Sequence, residues 1–402
     1  MRSGFPILLT VLSLACGRTA LLAPESSQAA QDASARLPAD ATSDAGADRR
    51  AAEIGRQRCQ PTGRFIAKGG YPLAKLPYAV GAGDFDGDGF PDLAVATSDD
   101  VTILLGRKDG TFQKSGVFDQ GDWPVAVEPA DLNADGVIDL VTATNVNGSS
   151  KISLLFGRGD GTFGALTSFA ADSVPTSVRI GDLDGNGSPD LVVANSATVS
   201  VFLNRGDGTF APQTLYQTSG VPHLALADFD RDGALDLAVS NSRDDTIYVF
   251  RNDGTGTFDD PVVYHANGGA ATVAAADFNG DGWPDLALAH WASSIITLFI
   301  NRGDGTFRTA GSYAVGAYAG TLLSADFNAD GSPDLAVVNQ EDDYVSVLIS
   351  RKDGTFESQA VYSTGRLPET MAVADFNQDG ALDLAVTEWQ DASLGFFLGE
   401  CL

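Results

Sequence analysis

Short apolar runs recur along the chain, and each stands directly behind a cluster of aspartates. Examples are LAVA after Asp92, LVTA after Asp139 and LVVA after Asp190. The runs are rich in β-favouring residues and have no helical period, so they predict short strands. A second β-rich run, such as VTILLG, follows and leads into an Asp-Gly turn, which predicts a hairpin to a further strand. The turns read DGTF at Asp109, Asp160, Asp207, Asp304 and Asp353, and DGTGTF at Asp253.

The acidic cluster occurs seven times, and successive copies start 46 to 51 residues apart. A period of this length is typical of repeat architectures and takes precedence over a division into ordinary domains. Each repeat has room for four strands but is too small to bury its own faces. These features predict an all-β fold, a seven-bladed β-propeller with four-stranded blades. The copies begin at Asp84, Asp131, Asp182, Asp228, Asp277, Asp326 and Asp375.

The nine residues from each of these aspartates are called the acidic loops here, and their spacing predicts metal binding. Oxygens at places 1, 3, 5 and 9, with a backbone carbonyl at place 7, can surround one Ca²⁺, while glycine at place 6 permits a sharp bend. Mg²⁺ fits less well because it requires a tighter octahedron. The sequence therefore predicts up to seven bound Ca²⁺ ions, one for each loop. The predicted ligands are Asp84, Asp86, Asp88, Phe90, Asp92; Asp131, Asn133, Asp135, Val137, Asp139; Asp182, Asp184, Asn186, Ser188, Asp190; Asp228, Asp230, Asp232, Ala234, Asp236; Asp277, Asn279, Asp281, Trp283, Asp285; Asp326, Asn328, Asp330, Ser332, Asp334; and Asp375, Asn377, Asp379, Ala381, Asp383.

Two other kinds of local structure are also dense in aspartate. Aspartates populate ordinary turns, which would explain one acidic loop but explains seven intact copies poorly. An EF-hand needs Glu at place 12 and flanking helices, whereas place 12 here is always Val, Thr or Leu. The acidic loop is therefore expected to join two strands.

The alternation of DFNGDGWPDLALA at residues 277–289 with LFINRGDGTF at residues 298–307 resembles the FG-GAP or VCBS-type repeat. That repeat builds the propellers of integrin α-chains and of many exported bacterial proteins. The resemblance covers residues 59–402, with seven matching loops and six matching turns. It implies Ca²⁺ in the first hairpin of each blade, on one face of the ring, and loops between blades on the other face.

The two ends of the repeat region complement each other. TGRF ends at Phe65, 19 residues before Asp84, and most DGTF phenylalanines precede the next acidic loop by the same interval. Only 19 residues follow Asp383, so the last blade lacks an outer strand that the N-terminal segment can supply. Such an exchange closes the ring and removes exposed sheet edges. Cys59 and Cys401 flank the closure and are predicted to form a disulfide; two free buried thiols are the alternative.

The N-terminus has the pattern of an export signal at residues 1–16. MRSGFPILLTVLSLAC places one Arg before an apolar run that is too short to span a bilayer as a mature helix. Its end resembles the lipobox of bacterial lipoproteins, which would make Cys16 the lipidated first residue; signal cleavage near Ala29 is the alternative. Residues 17–58 are rich in Ala, Ser and Asp and predict a flexible linker, followed by the propeller at 59–402. We therefore expect an exported protein, either an outer-membrane or cell-surface lipoprotein or a secreted or periplasmic one.

Charge restricts the partners. Asp and Glu number 53 against 25 Lys and Arg, and the formal net charge of −28 repels nucleic acid and anionic lipid. Membrane contact is expected only through the lipid anchor, and the protein is expected to be a monomer that binds a protein or a carbohydrate. Large aromatic and polar residues on the loops between blades suit carbohydrate stacking or protein contact, although capping of the blade ends would equally explain them. The candidates are Trp123, His223, His290, Trp291, Glu388 and Trp389.

Catalytic patterns are scarce in the sequence. The three histidines show no zinc spacing, no G-x-S-x-G elbow occurs, and no glycine-rich phosphate loop precedes a helix. No catalytic residue is predicted, and we expect a binding or adhesion module rather than an enzyme. The alternatives are a lectin with sugar pockets at the loop aromatics, and a polysaccharide lyase or hydrolase with an unmarked carboxylate on the same face. Three Arg-Gly-Asp tripeptides, at Arg158, Arg205 and Arg302, are interpreted as turns.

Overall fold

A computed structural model of the chain describes residues 59–120, 123–146, 149–220 and 222–402. The predictions for the signal peptide at 1–16, lipidation at Cys16, cleavage near Ala29 and the linker at 17–58 lie outside the described residues. Among the residues that are described, no helix is long and apolar enough to cross a membrane.

The described residues form β-strands joined by turns and loops, as the hydrophobic pattern predicts. In chain order the strands are β1 (Pro61–Pro72), β2 (Pro77–Gly83), β3 (Asp92–Thr97), β4 (Asp100–Gly106), β5 (Phe112–Asp119), β6 (Pro124–Ala130), β7 (Asp139–Val146), β8 (Ser149–Leu155), β9 (Thr167–Ala170), β10 (Pro175–Gly181), β11 (Asp190–Asn195), β12 (Thr198–Phe202), β13 (Thr214–Gln217), β14 (Pro222–Ala227), β15 (Asp236–Asn241), β16 (Thr246–Phe250), β17 (Val262–His265), β18 (Ala270–Ala276), β19 (Asp285–His290), β20 (Ile295–Asn301), β21 (Phe307–Ala314), β22 (Ala319–Ala325), β23 (Asp334–Asn339), β24 (Tyr344–Leu348), β25 (Ala360–Ser363), β26 (Pro368–Ala374), β27 (Asp383–Glu388) and β28 (Ser393–Cys401).

Within the described residues these strands form seven four-stranded sheets, which confirms the predicted all-β, seven-bladed propeller. Blade 1 contains β2–β5, blade 2 β6–β9, blade 3 β10–β13, blade 4 β14–β17, blade 5 β18–β21 and blade 6 β22–β25. Blade 7 contains β26, β27 and β28, with β1 at its edge. Neighbouring strands of a blade are antiparallel, as in β2, β3, β4 and β5.

The N-terminal strand completes the last blade, as the repeat spacing predicts. Strand β1 pairs antiparallel with β28 and places Pro61 opposite Cys401. A disulfide joins Cys59 to Cys401, and the N–H of Leu402 donates to the carbonyl of Gln60 at 3.1 Å. Cys401 is the last residue of β28, so the disulfide ties the ends of two paired strands.

The core lies between neighbouring blades. All six residues of β3 and of β11 are buried, whereas β5 on the outside has only exposed and half-buried residues. The second strand of each blade packs between the two neighbouring blades. Burial on both sides explains why this strand is a continuous apolar run. One buried cluster, for example, contains Phe85 and Ile103 of blade 1 together with Leu140 of blade 2.

The residue at place 2 of an acidic loop fills the space between two blades. Phe85, at place 2 in blade 1, packs edge-to-face on Phe163 of blade 2, with ring centroids 5.6 Å apart. Phe163 is the phenylalanine of a DGTF turn. In blade 7 the position of the DGTF phenylalanine is taken by Phe65, which is 7% exposed. TGRF therefore substitutes for the missing DGTF sequence.

The DGTF segments form the turns between third and fourth strands. In the turn at Asp160, the carboxylate accepts both the N–H and the hydroxyl of Thr162, at 3.0 and 2.5 Å. The Arg-Gly-Asp tripeptides overlap these turns, and the N–H of Arg158 donates to the carbonyl of Thr162 at 3.0 Å. Arg205 and Arg302 make the equivalent bond. Their interpretation as turn residues is confirmed.

Candidate metal loops and binding face

Each acidic loop joins the inner strand of a blade to its second strand, as predicted. In blade 1 the loop lies between β2 and β3. The glycine at place 6 has a φ between +82° and +97° in all seven loops, a region where any side chain would be strained. This backbone requirement explains why every copy has glycine at place 6.

Place 4 also adopts a left-handed backbone, which sequence reasoning missed. Its φ is 58° at Ala134 and Arg231, 53° at Ala329 and 54° at Gln378, a region that non-glycine residues enter only uncommonly. The sequence signal for this left-handed conformation was the glycine at place 4 of the other three loops. Those glycines are Gly87, Gly185 and Gly280.

The carboxylates at places 1 and 5 hold the loop together by accepting backbone N–H groups. Asp84 accepts the N–H of Gly89 at 3.0 Å, and Asp88 accepts that of Phe90 at 2.8 Å. Equivalent bonds recur in all seven loops, although in blade 3 the acceptor at place 5 is the amide oxygen of Asn186 instead of a carboxylate. They use only part of each carboxylate, which has about four acceptor sites.

The ninth residue is a fully buried aspartate that anchors the loop to its blade. In blade 1, Oδ2 of Asp92 accepts the N–H of Phe85 and Oδ1 accepts that of Gly106, both at 2.7 Å. The same two bonds occur in every loop. Burial is the largest influence on the ninth aspartates and raises their pKa to about 6 or about 7, against the lowering effect of the two bonds. The sequence predicts these residues as metal ligands, but it does not predict the anchoring bonds.

The side chains at places 1, 3 and 9 converge where all three are aspartate. In blades 1, 3 and 4, one carboxylate oxygen from each of the three lies within 4.8 Å of the other two. The groups are Asp84, Asp86 and Asp92; Asp182, Asp184 and Asp190; and Asp228, Asp230 and Asp236. The other four loops have Asn at place 3, which supplies an amide oxygen. A donor set made only of oxygens fits Ca²⁺, and a nearby cation would relieve the repulsion between the carboxylates.

Among the described residues, two acidic loops have a carboxylate paired with a basic side chain from outside the loop. Nη1 of Arg251 lies 3.5 Å from Oδ2 of Asp230 in blade 4, and Nζ of Lys352 lies 3.5 Å from Oδ1 of Asp330 in blade 6. These side chains supply positive charge next to carboxylates whose negative charge a metal ion would otherwise neutralise. The seven loops therefore differ in electrostatics although they share one backbone.

Asparagine side chains tie the loops of neighbouring blades together. Nδ2 of an Asn at the end of a third strand donates to the place-2 carbonyl of the preceding blade. The pairs are Asn204 with Leu132, Asn252 with Leu183 and Asn301 with Phe229, each at 2.8 Å. The available sequence signal was the Asn that precedes the turn in LNRGDGTF, RNDGTGTF and INRGDGTF. The shape of one acidic loop thus depends on the turn of the next blade.

The opposite face of the ring carries the loops between second and third strands and the connections between blades, because strands alternate in direction. Three of the six ligand-binding candidates lie beneath this face rather than on it. His223 is 2% exposed, His290 0% and Glu388 8%. The sequence suggests that these three residues are exposed on the loops, whereas the structure buries their side chains.

Glu388 and His290 each end a second strand and support the loops from below. Glu388 accepts the N–H of Gly365 at 2.7 Å and the hydroxyl of Ser393 at 2.6 Å. Nε2 of His290 lies 2.8 Å from the hydroxyl of Thr297. These bonds connect the second strand to the third strand and, for Glu388, to the connection between blades. Both side chains are thus engaged within the fold.

Three of the four tryptophans belong to two aromatic clusters on the opposite face. Trp123 is 48% exposed and Trp291 is 37% exposed. Tyr78 lies between Trp123 and Trp389, with ring centroids 6.3 and 6.4 Å away. Trp291 packs beside Tyr318 at 6.0 Å. Each cluster thus has one exposed ring, which offers flat apolar surface for a partner.

This geometry defines a seven-bladed β-propeller with an acidic loop in the first hairpin of every blade. The chain matches the FG-GAP-like repeat over most of the propeller, and it belongs to that family. The matched segments are residues 84–142, 131–193, 182–239, 228–288, 277–337 and 326–386.

Several solved structures have the same fold. BBS1N in complex with ARL6DN, soaked with mercury, has a TM-score of 0.63 at 14% identity over 84% of this chain and 97% of that chain. The same complex soaked with lead has a TM-score of 0.60 at 14% identity over 84% and 97%. An Agrocybe aegerita lectin that recognises non-reducing terminal N-acetylglucosamine has a TM-score of 0.54 at 18% identity over 81% and 86%. No curated protein matches the sequence.

At 14% and 18% identity, these neighbours share the fold of this chain. One neighbour is seen in complex with a protein and another recognises a sugar.

Proposed function

We propose that this protein is an exported, calcium-stabilised β-propeller that acts as a binding or adhesion module for a protein or glycan. The observation that carries the proposal is the convergence of carboxylates in the acidic loops, within 4.8 Å in three blades, on the face away from the exposed tryptophans. The face with the acidic loops suits metal ions, and the face with the exposed tryptophans is available to bind a partner.

Calcium would act on stability before it acts on binding. Seven Ca²⁺ ions would add fourteen positive charges to the formal net charge of −28 and leave −14. With free Ca²⁺ at about ten times the Kd, each site would contribute about 1.4 kcal/mol, and seven sites on the order of 10 kcal/mol. A sum of that size is comparable to the whole stability of a domain. The residues that would hold the ions are those at places 1, 3, 5 and 9 and the carbonyl at place 7.

The partner would meet the face that carries the two aromatic clusters. Trp123 and Trp291 are the exposed members, and their rings present apolar area at little cost in side-chain entropy. The similarity in fold to a lectin supports carbohydrate as a second, narrower candidate, with the tryptophans as stacking platforms.

Export is supported by two features of the chain. The first residues have the pattern of a signal peptide, with an end that resembles a lipobox at Cys16. The Cys59–Cys401 disulfide suits an oxidising compartment outside the cytoplasm. We therefore place the protein on the cell surface or outer membrane as a lipoprotein, or in the periplasm or medium.

A binding screen tests the proposal. Protein lacking residues 1–58 would be applied in Ca²⁺ to a glycan array and to extracellular-matrix and cell-surface proteins. Trp291→Ala and Trp123→Ala should abolish or weaken the binding that the unmodified propeller shows. Trp283→Ala is the matched control, because Trp283 lies in an acidic loop on the other face, stacked with Arg231 at 4.6 Å.

The outcomes separate the candidates. Glycan binding that disappears with Trp291→Ala but persists with Trp283→Ala would favour the lectin. Protein binding with the same pattern would favour the adhesion module. Binding that is insensitive to Trp123→Ala and Trp291→Ala would contradict the assignment of the binding face, and turnover of a polysaccharide would contradict the assignment as a binding module.

A further inference from the structure

We propose that the Cys59–Cys401 disulfide and the acidic loop of blade 7, residues 375–383, form one coupled unit at the ring closure. Ca²⁺ in this loop favours the intact disulfide, and the intact disulfide favours Ca²⁺ binding. The inference rests on the calcium binding proposed above and adds a redox dependence to one particular loop.

The disulfide lies directly against this loop. A carboxylate oxygen of Asp379 and the two cysteine sulfurs all lie within 4.8 Å of one another. A Cβ atom added at Gly380 would lie 3.6 Å from the Cβ of Cys59, which is van der Waals contact. Asp379 and Gly380 are places 5 and 6, where the loop bends. Among the described residues, no other acidic loop has a cysteine in such a position.

Strand β28 connects the disulfide to the ninth place of the same loop. Oδ1 of Asp383 accepts the N–H of Gly399 at 2.8 Å, two residues before Cys401. Oδ2 of Asp383 accepts the N–H of Phe376 at place 2, at 2.9 Å. A shift of the end of β28 would therefore move a predicted calcium ligand and the start of the loop together.

The loop also contacts blade 1 across the closure. Nε2 of Gln378, at place 4, donates to the carbonyl of Gly89 in the acidic loop of blade 1. A Cβ atom added at Gly110, in the first DGTF turn, would lie 3.2 Å from the Cβ of Asn377. The blade 7 loop thus touches the disulfide on one side and the first blade on the other.

Reduction would release this arrangement. A dithiol reductant supplies two electrons and two protons: the sulfur–sulfur bond breaks, Cys59 and Cys401 become thiols, and the reductant becomes a cyclic disulfide. The freed ends of β1 and β28 regain conformational freedom, which weakens the support of the loop. Coupling between two equilibria is reciprocal, so Ca²⁺ held more tightly by the oxidised form shifts the thiol–disulfide equilibrium toward the disulfide by the same factor.

The test measures that equilibrium. Full-length protein is equilibrated with mixtures of reduced and oxidised dithiothreitol, in excess Ca²⁺ or in a calcium chelator. Alkylation and peptide mass spectrometry then give the reduced fraction of Cys59 and Cys401. Ca²⁺ is expected to raise the midpoint ratio of reduced to oxidised dithiothreitol about tenfold.

Two matched variants separate the blade 7 loop from general stabilisation. Asp379→Asn should remove most of the calcium effect on the disulfide. Asp88→Asn changes the same place in blade 1, away from the cysteines, and should retain it. Circular dichroism confirms that both variants are folded before reduction. As a second measurement, the double variant Cys59→Ser, Cys401→Ser should bind Ca²⁺ about tenfold more weakly at one site in a calorimetric titration.

The outcomes distinguish this inference from the proposed calcium role. An equal loss of the effect in Asp379→Asn and Asp88→Asn would overturn the coupling while calcium stabilisation stands. The coupling would also be overturned if Ca²⁺ raised the melting temperature but left the disulfide equilibrium unchanged. Absence of any calcium effect on melting or on the disulfide would overturn both.

Discussion

Phe65 packs edge-to-face on Phe327, with ring centroids 5.4 Å apart. Phe65 belongs to the N-terminal strand, and Phe327 lies in the acidic loop of blade 6. Inside the continuous chain, Phe229 and Phe307 make the equivalent contact at 5.3 Å. The ring is therefore closed by the same aromatic packing that joins its internal blades, supplied by a strand from the other end of the propeller.

The first prediction concerns that contact. Phe65→Ala should lower the free energy of unfolding by about 3 to 5 kcal/mol, because it removes a buried ring and leaves a cavity. Urea titration monitored by fluorescence measures the change. Ile66→Ala is the control on the same strand, since Ile66 is 59% exposed, and it should change stability by less than about 0.5 kcal/mol. Equal effects of the two substitutions would show that Phe65 does not fasten the closure.

The second prediction separates anchoring from metal binding at the ninth place. Asp92→Asn should destabilise the protein by about 2 kcal/mol even in EDTA, because the amide N–H₂ faces one of two backbone donors. Those donors are the N–H groups of Phe85 and Gly106. Denaturant titration in EDTA measures the loss.

Asp88→Asn is the matched comparison for Asp92→Asn. Asp88 is exposed and accepts one backbone N–H, from Phe90 at 2.8 Å, which an Asn oxygen can also accept. This variant should lose less than about 1 kcal/mol in EDTA, while both variants lose calcium affinity in the blade 1 loop. The anchoring role would be refuted if Asp92→Asn and Asp88→Asn unfolded alike in EDTA.

The third prediction concerns acid sensitivity. Burial lowers the pKa of His223 to about 3, and Arg179 adds to the lowering. The unfolded chain takes up this proton near pH 6.5, roughly the ordinary value, while the folded chain does not until the pH is far lower. The stability is therefore fully present above about pH 6.5 and is lost as the pH falls toward the pKa of His223 in the folded state.

His223→Leu should remove this sensitivity. The stability of the unsubstituted protein relative to the variant should fall by up to about 1.4 kcal/mol per pH unit below about pH 6. Urea titrations of both proteins across this range give the difference, and protonation of the aspartates largely cancels between them. A difference that stays constant with pH would mean that His223 gains no proton on unfolding.

The fold followed from the sequence because its signals are local. The spacing of aspartates around each glycine, the DGTF turns and the 19-residue interval to Phe65 depend only on order along the chain. The exposure of the loop-face residues did not follow. Glu388 precedes Trp389 in a polar stretch, yet its side chain turns inward to Gly365 and Ser393, which other segments supply. Such contacts depend on tertiary packing that residue spacing does not specify.

Calcium binding is tested most directly by thermal unfolding of the purified protein with its metal content measured in the same sample. We expect up to seven Ca²⁺ per chain by atomic emission, one for each acidic loop. The melting temperature should fall steeply in excess EDTA and recover with Ca²⁺ but far less with Mg²⁺. A melting temperature that is unchanged in EDTA, in protein that contains no calcium, would contradict the proposed role of the acidic loops.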